Sequence, residues 1–354
     1  MCTEVMRRNT RIAVTKCLLL SSLLSSMVSC GGSISDHGRK VTLILGAYTT
    51  PREAYTKAII PEFKRYWQQK TGREVEFQES YQGSGAQSRA IISGFEADIA
   101  ALSLEGDVDR IVKSGLIQHD WRANEYHGIV TTSIVVIAVR PGNPLGIRDW
   151  SDLTRQGLRL LTPDPKTSGG AQWNIAAIYG AALRGYTDAG KDDPTAAKEF
   201  LKRVLVNVSI MDKGARESII NFEKGVGDAA ITYENEVLVG RQAGQKYDYA
   251  VPHSTILIEN PVALVDKYVD KHGVREAAEA FVQFLLTKEA QEVFARYGLR
   301  PVEEEAARGA GAQFPPVKDL WKIDFLGGWS QVTVNLFGPA GAYSRSFEEL
   351  HTAQ

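Results

Sequence analysis

Past residue 30 the sequence has no cysteine; Cys2, Cys17 and Cys30 are the only three, so no disulfide framework can staple the folded part. A surplus of charge is missing too. The 41 basic and 42 acidic residues leave a formal net charge of −1, which provides neither a basic face for nucleic acid nor an acidic tail. An anion, if one binds, must be held by local donors. The apolar runs at 17–24 and 134–139 fall short of the ~20 residues that a membrane-spanning helix needs. The six histidines are scattered, with no H-E-x-x-H, so each reads as a solvated or hydrogen-bonded side chain and no metal site is expected. Lys166-Thr167 imitates the end of a P-loop, but Pro165 stands where that motif needs glycine, which excludes a nucleoside triphosphate cradle. Ser84 lies in Gln82-Gly83-Ser84-Gly85-Ala86, without the outer glycines of G-x-S-x-G, and no Ser-x-x-Lys begins at Ser84 or Ser168. No nucleophile motif remains, so the chain reads as a binder needing no cofactor, not as an enzyme.

What is present begins with a targeting segment. Arg7, Arg8, Arg11 and Lys16 precede the short apolar run, and small residues approach Cys30, the pattern of a secretory signal. Leu24-Ser25-Ser26-Met27-Val28-Ser29-Cys30-Gly31 also resembles a bacterial lipobox, in which the cysteine is lipidated; ordinary cleavage near Ser29 is the alternative. Residues 1–30 are thus read as signal and 31–40 as a polar tether. Either route puts the protein to work outside the cytoplasmic membrane, in the periplasm, soluble or lipid-anchored through Cys30.

From residue 41 the pattern is α/β. Strands are expected at 41–48, 75–78, 97–102, 134–139, 158–161, 208–211, 229–233 and 256–265. Between them, apolar faces at helical spacing predict helices, the first beginning near Pro51 and stopping at Thr71-Gly72. Further helices are expected at 87–93, 108–114, 194–207, 234–242, 275–286 and 289–297, and a last one across 329–350 broken at Gly338-Pro339. Such alternation at this spacing argues for open sheets whose ligands sit at the carboxyl ends of strands. The run at 134–139 is read as a strand passing from one lobe to another. That divides the chain into 41–133 and 256–354 for lobe one with the C-terminal helices, and 134–255 for lobe two.

One stretch organises the rest: Pro165-Lys166-Thr167-Ser168-Gly169-Gly170-Ala171-Gln172-Trp173-Asn174, a polar glycine loop running into an amphipathic helix. Ser168 stands where an N-cap is wanted, and the glycines let a ligand approach the backbone. A helix start of this kind aims free N–H groups and the positive end of the helix dipole at one point, which suits an oxyanion. Standing alone, Ser-Gly-Gly is also a plain capped turn. It does not stand alone: Thr49, Ser84 and Ala215 lie in other strand-to-helix loops and can meet around the same small ligand.

At this point the sequence resembles a family. The matching segments are Tyr48-Thr49-Thr50-Pro51-Arg52-Glu53, Gly83-Ser84-Gly85, Gly94-Phe95-Glu96-Ala97-Asp98, Asn143-Pro144, Asp149-Trp150-Ser151-Asp152-Leu153, Pro165 to Ala171, Gly214-Ala215-Arg216, Tyr233-Glu234-Asn235-Glu236 and Gly327-Gly328-Trp329. Together, in order from about Val41 to the C-terminal region, they are similar to the sulfate-binding proteins of bacterial sulfate/thiosulfate ABC importers. The resemblance implies a two-lobed periplasmic binding protein, type II-like, with a mixed sheet flanked by helices in each lobe. It implies a monomer that closes on a dehydrated sulfate dianion and delivers it to a membrane permease. The implied donors are the main chain at Thr49, the main chain and hydroxyl of Ser84 and Ser168, and the main chain of Gly169, Gly170 and Ala215. Arg52, Lys166, Arg216 and Glu234 are expected to orient loops or pair at the surface without touching the anion.

Two positions depart from the family pattern. Thr49 replaces a common aspartate, where a main-chain donor survives, and Tyr233 replaces an indole donor. A phenol accepts as well as donates, so Tyr233 leaves sulfate, thiosulfate and a larger tetrahedral oxyanion such as molybdate all open. A donor-only cradle also discriminates. Hydrogen phosphate would aim its O–H at N–H groups, and one such unsatisfied buried group costs ~1–3 kcal/mol, about tenfold to a hundredfold. The rival from another class is a secreted sulfate or phosphate ester hydrolase, for which no motif is found.

Overall fold

The computed structural model describes residues 40–352; the signal segment 1–30 with Cys30, and the tether to residue 39, lie outside the described residues. β1 (Val41–Tyr48) buries Leu43, Leu45 and Ala47 completely. The helix that follows runs in three pieces, α1 (Arg52–Ala54), a π-helical turn (Tyr55–Ile59) and α2 (Ile60–Thr71). Pro61 has no N–H to return to the preceding turn, and the widened turn lies directly ahead of it. Gly72, at φ 70°, ends the rod in the left-handed conformation that glycine adopts most readily.

β2 (Val75–Gln82) pairs with β1 in parallel along its whole length, from Val41 opposite Val75 to Tyr48 opposite Gln82. That ladder carries the strand past the expected end at residue 78. α3 (Ser84–Ile92) begins at Ser84 itself, ahead of the expected residue 87, because the Gln87 N–H closes a turn onto the Gly83 carbonyl at 2.8 Å. β3 (Ile99–Ala101) and α4 (Glu105–Lys113) follow.

β4 (Ile129–Val139) extends well ahead of the apolar run from which it was expected. The chain continues through β5 (Leu160–Pro163), α5 (Gly169–Leu183), α6 (Pro194–Leu205), β6 (Val208–Asp212), α7 (Ala215–Glu223), β7 (Ala229–Tyr233) and α8 (Glu234–Gln242). Next come β8 (Asp248–Ala250) and β9 (Ser254–Leu264). α5 corrects one expectation, since it is not amphipathic: it is buried on nearly all sides, from Gly169 to Ala182. Its alanines and glycines admit close neighbours, and a Cβ at Gly180 would lie 2.1 Å from the ring of Trp321.

The remainder holds α9 (Asp266–His272), α10 (Arg275–Leu285), α11 (Lys288–Arg296), β10 (Arg300–Pro301), α12 (Glu304–Ala310) and β11 (Asp319–Trp321). α13 (Gly328–Asn335) and α14 (Ala342–Thr352) flank the break expected at Gly338-Pro339. α14 packs on α6, where Lys198 and Lys202 both reach Glu349.

Strands lie in the order β2-β1-β3-β9-β4-β7-β5-β6. β4 is shared: Ile129 to Ile134 pair with β9, and Val135 to Val139 pair with β7. β9 is shared in the same way, because Val262 to Leu264 pair with β3. Two lobes, each a mixed sheet between helices, are therefore joined by strands that run through both. Lobe one packs Phe63, Phe281 and Phe294 on one face of its sheet and Ile91, Ile111 and Trp121 on the other. Lobe two packs Trp150, Trp173 and Trp329 on one face and Phe222 and Tyr247 on the other. Within each lobe the central strands run parallel, so their carboxyl ends and the loops after them are gathered at one edge.

Candidate oxyanion-binding site

Ser168 is extended (φ −112°, ψ 122°), and its Oγ accepts from the Ala171 N–H at 3.4 Å, which makes it the N-cap of α5. Its own N–H is bound to the Asp164 carbonyl at 2.8 Å, so of the two donors expected at Ser168 the main chain is already used and only the hydroxyl is left for an anion. Gly169 and Gly170 are the first residues of the helix, where main-chain N–H groups have no partner inside the helix. Both glycines are required by contact. A Cβ on Gly169 would lie 2.6 Å from Ser103 Oγ, and one on Gly170 would lie 2.7 Å from Tyr233 Cε2.

Loops from both lobes meet here. The Ala86 N–H donates to the Thr167 carbonyl at 3.2 Å, and Thr167 Oγ1 donates to the Lys213 carbonyl at 2.8 Å. A Cβ on Gly83 would stand 2.5 Å from the Thr167 carbonyl and 2.8 Å from that of Lys213, and one on Gly214 would lie 3.3 Å from Thr49 Oγ1. The seven expected residues thus fall in one region: Thr49, Ser84, Ser168, Gly169, Gly170, Ala215 and Tyr233. All are buried. α3, α5 and α7 all begin in this region, so three positive helix ends converge on it.

The hydroxyls have a more particular arrangement than the sequence suggested. Ser84 Oγ donates to Asp107 Oδ2 and accepts from the Ser103 N–H at 2.9 Å. Its single hydrogen is held by Asp107, which leaves the Ser84 main-chain N–H as the group free of that bond. Burial pushes the Asp107 carboxyl up, against the opposing pull of Arg110 and Ser84. Tyr233 OH lies 2.6 Å from Ser103 Oγ. Burial pushes the phenol well above its ordinary range, so it keeps its proton at every physiological pH.

Ser103 is the residue that sequence reasoning missed. It follows β3 in Leu102-Ser103-Leu104, with no glycine to mark the turn. The available signal was position, because it ends a strand just ahead of a helix, as the other site residues do. Its carbonyl accepts from Trp173 Nε1 at 2.9 Å and from Asn260 Nδ2 at 3.0 Å.

The charged neighbours are engaged elsewhere, though two of the pairs are inside and not at the surface as expected. Arg216 reaches Glu53 Oε2 at 2.9 Å and Glu236 Oε2 at 3.0 Å. Burial raises the Glu236 carboxyl to about 7, with Arg216 opposing it. Glu234 is buried and bound by Arg300 through both oxygens, at 2.7 and 3.0 Å. Arg52 lies over the Tyr81 ring and Lys166 over that of Phe347. Among the described residues no group of three or more His, Cys, Asp or Glu gathers to hold a metal, and no helix is long and apolar enough to cross a membrane.

Two lobes hinged on shared strands, closing helix starts around a buried polar point, define a solute-binding protein of the periplasmic-binding-protein fold. Residues 45–300 match the family described as bacterial extracellular solute-binding protein, and the chain belongs to that family. It is 43% identical over 333 residues to a sulfate-binding protein of Synechococcus elongatus, covering 92% of this chain and 93% of that one. It is 31% identical to a thiosulfate-binding protein of Pseudomonas aeruginosa, covering 94% and 99%. Among solved structures, the sulfate-binding protein SubI from Mycobacterium tuberculosis H37Rv superimposes with a TM-score of 0.76 at 37% identity, covering 84% of this chain and 99% of that one.

Proposed function

We propose that this protein captures sulfate in the cleft between its lobes and delivers it to the permease of an ABC importer. The observation that carries this reading is the convergence of three helix starts and the Ser168-Gly169-Gly170 turn on one buried point, with the nearby charged side chains paired among themselves. A dianion in such a place is held by neutral dipoles, which need no counter-charge when oriented in advance. The ligand set proposed is Thr49, Ser84, Ser168, Gly169, Gly170, Ala215 and Tyr233, with Ser84 contributing through its main chain unless the anion draws its hydroxyl from Asp107. Relatives named for sulfate support the choice of anion.

Thiosulfate is the second reading, favoured by the relative named for it. The rest of the proposal concerns the chain as a whole. Lobe one comprises 41–133 and the part of 256–354 ahead of β11; lobe two comprises 134–255 and takes the C-terminal helices, a correction to the expected division that the packing of Trp329 and Tyr343 with Trp150 and Trp173 supports. The protein acts as a monomer outside the cytoplasmic membrane, either soluble after cleavage near Ser29 or lipid-anchored through Cys30.

The test is calorimetric titration of the mature protein with sulfate, thiosulfate, molybdate and phosphate, without added metal. One-to-one sulfate binding with phosphate excluded is the expected result. No binding of sulfate, or binding only in the presence of a metal, overturns the reading.

A further inference from the structure

Ser103 and Tyr233 come from different lobes, one after β3 and the other at the end of β7. Their hydroxyl oxygens meet at 2.6 Å inside the region lined by Gly169 and Gly170. Two hydroxyls in contact have two hydrogens between them, and their mutual bond uses one. The other hydrogen is free to point at a third group. In one order Ser103 donates to Tyr233, and the phenol's hydrogen is left over; in the other the phenol donates to Ser103.

An anion in the cradle chooses between these orders. A charge-assisted hydrogen bond is roughly twice as strong as a neutral one, and the phenol, with an ordinary pKa of about 10, is the more acidic of the two hydroxyls. The favoured order therefore runs from Ser103 to Tyr233 to the anion, each bond polarising the next. Ser103 is well placed to set it. Its N–H is bound to Ser84 Oγ, and its carbonyl is held by Trp173 and Asn260, so its side chain starts from a fixed backbone.

We infer that Ser103 is a specificity-determining residue of the site: by donating to the Tyr233 oxygen it occupies the position at which the phenol would accept, and turns an amphoteric group into a donor. This rests on the proposed reading of the cradle as a sulfate site. Sulfate, with four oxygens that only accept, fits a donor. Hydrogen phosphate needs one acceptor, and obtains it from Tyr233 only by reversing the pair, which turns the phenol's hydrogen to Ser103 and costs the cradle a donor. The pair also joins the lobes, so the same bond that selects the anion forms only when the lobes are together.

The test uses the whole mature protein and four variants: Ser103→Ala, Ser103→Thr, Tyr233→Phe and the double variant Ser103→Ala with Tyr233→Phe. Sulfate affinity is measured by calorimetry, phosphate by its displacement of bound sulfate at neutral pH, and folding by the melting temperature without anion. Ser103→Ala is expected to weaken sulfate by about threefold to thirtyfold, the range of a single hydrogen bond, and to narrow the ratio of sulfate to phosphate affinity. Ser103→Thr, which keeps the hydroxyl, restores both. The double variant binds sulfate no more weakly than Tyr233→Phe, because the two hydroxyls act as one donor. Unchanged sulfate affinity in Ser103→Ala, losses that multiply in the double variant, or an unchanged anion ratio overturns the inference. A wild-type protein that does not bind sulfate overturns the proposed function instead, and the two failures are distinct.

Discussion

The backbone at Gly169 has space for hydrogen and little else. A side chain there meets Ser103 Oγ at 2.6 Å, Ser103 Cβ at 2.8 Å and Leu104 Cδ2 at 3.0 Å, and forcing bulk into a packed site costs ~1–3 kcal/mol. Because the strain falls on the loop of lobe one that must close on α5, Gly169→Val should weaken sulfate by about tenfold or more, as read by calorimetry; unchanged affinity would remove Gly169 from the cradle. The need for glycine here was legible in the sequence only through the matching loops at Thr49, Ser84 and Ala215, since Ser-Gly-Gly alone is equally a plain capped turn. The neighbour that makes glycine necessary was not legible. Ser103 lies 66 positions earlier (169 − 103), and only the folded chain puts its hydroxyl against that Cα.

At the level of elements, helix starts carry function in one place and stability in another. Asp266 opens α9 and accepts from the Gln118 N–H at 2.7 Å and the His119 N–H at 3.2 Å, with Arg275 on its other oxygen at 3.0 Å. Burial alone raises such a carboxyl, but these donors outweigh it and hold Asp266 at about 2. The folded-state value is below the unfolded one of about 3.9, so the contribution is complete above about pH 4 and is lost as pH falls towards 2. Asp266→Asn is expected to lower stability at neutral pH by about 2 kcal/mol and to flatten the acid limb of the urea-unfolding curve against pH. An unchanged acid limb would show that the carboxylate is not so held. Periodicity and stop signals located most helices within a few residues. They failed for β2 and β4, whose ends are set by ladders to β1 and β9, and for α5, whose burial depends on what covers it.

For the whole molecule, binding between lobes links affinity to closure and to stability. A ligand that binds only the folded state adds about 2.7 kcal/mol when present at a hundred times its Kd, so sulfate should raise the melting temperature by several degrees and added metal should not. The proposed donors are neutral, and Tyr233 keeps its proton well beyond its ordinary range. From about pH 8, where the buried Glu236 near the cradle is already ionised, to about pH 9, sulfate affinity should therefore change by less than about twofold, since no group proposed to touch the anion titrates there. A steep slope in calorimetry across that range would place a charged or histidine side chain against the anion.

Local chemistry by itself determined the α/β alternation, the glycine turns after strands and the Ser168 cap, because these depend on residues adjacent in the chain. Order and spacing of those motifs were also enough to suggest the family. Tertiary structure alone decided that β4 and β9 are shared between lobes, that Asp107 holds the Ser84 hydroxyl, and that Ser103 faces Tyr233 across the closure. Those contacts join segments up to 165 residues apart (264 − 99), the separation of Ile99 in β3 from Leu264 in β9. They arise when two sheets bring the ends of their strands to one edge, a relation that no local pattern of side chains records.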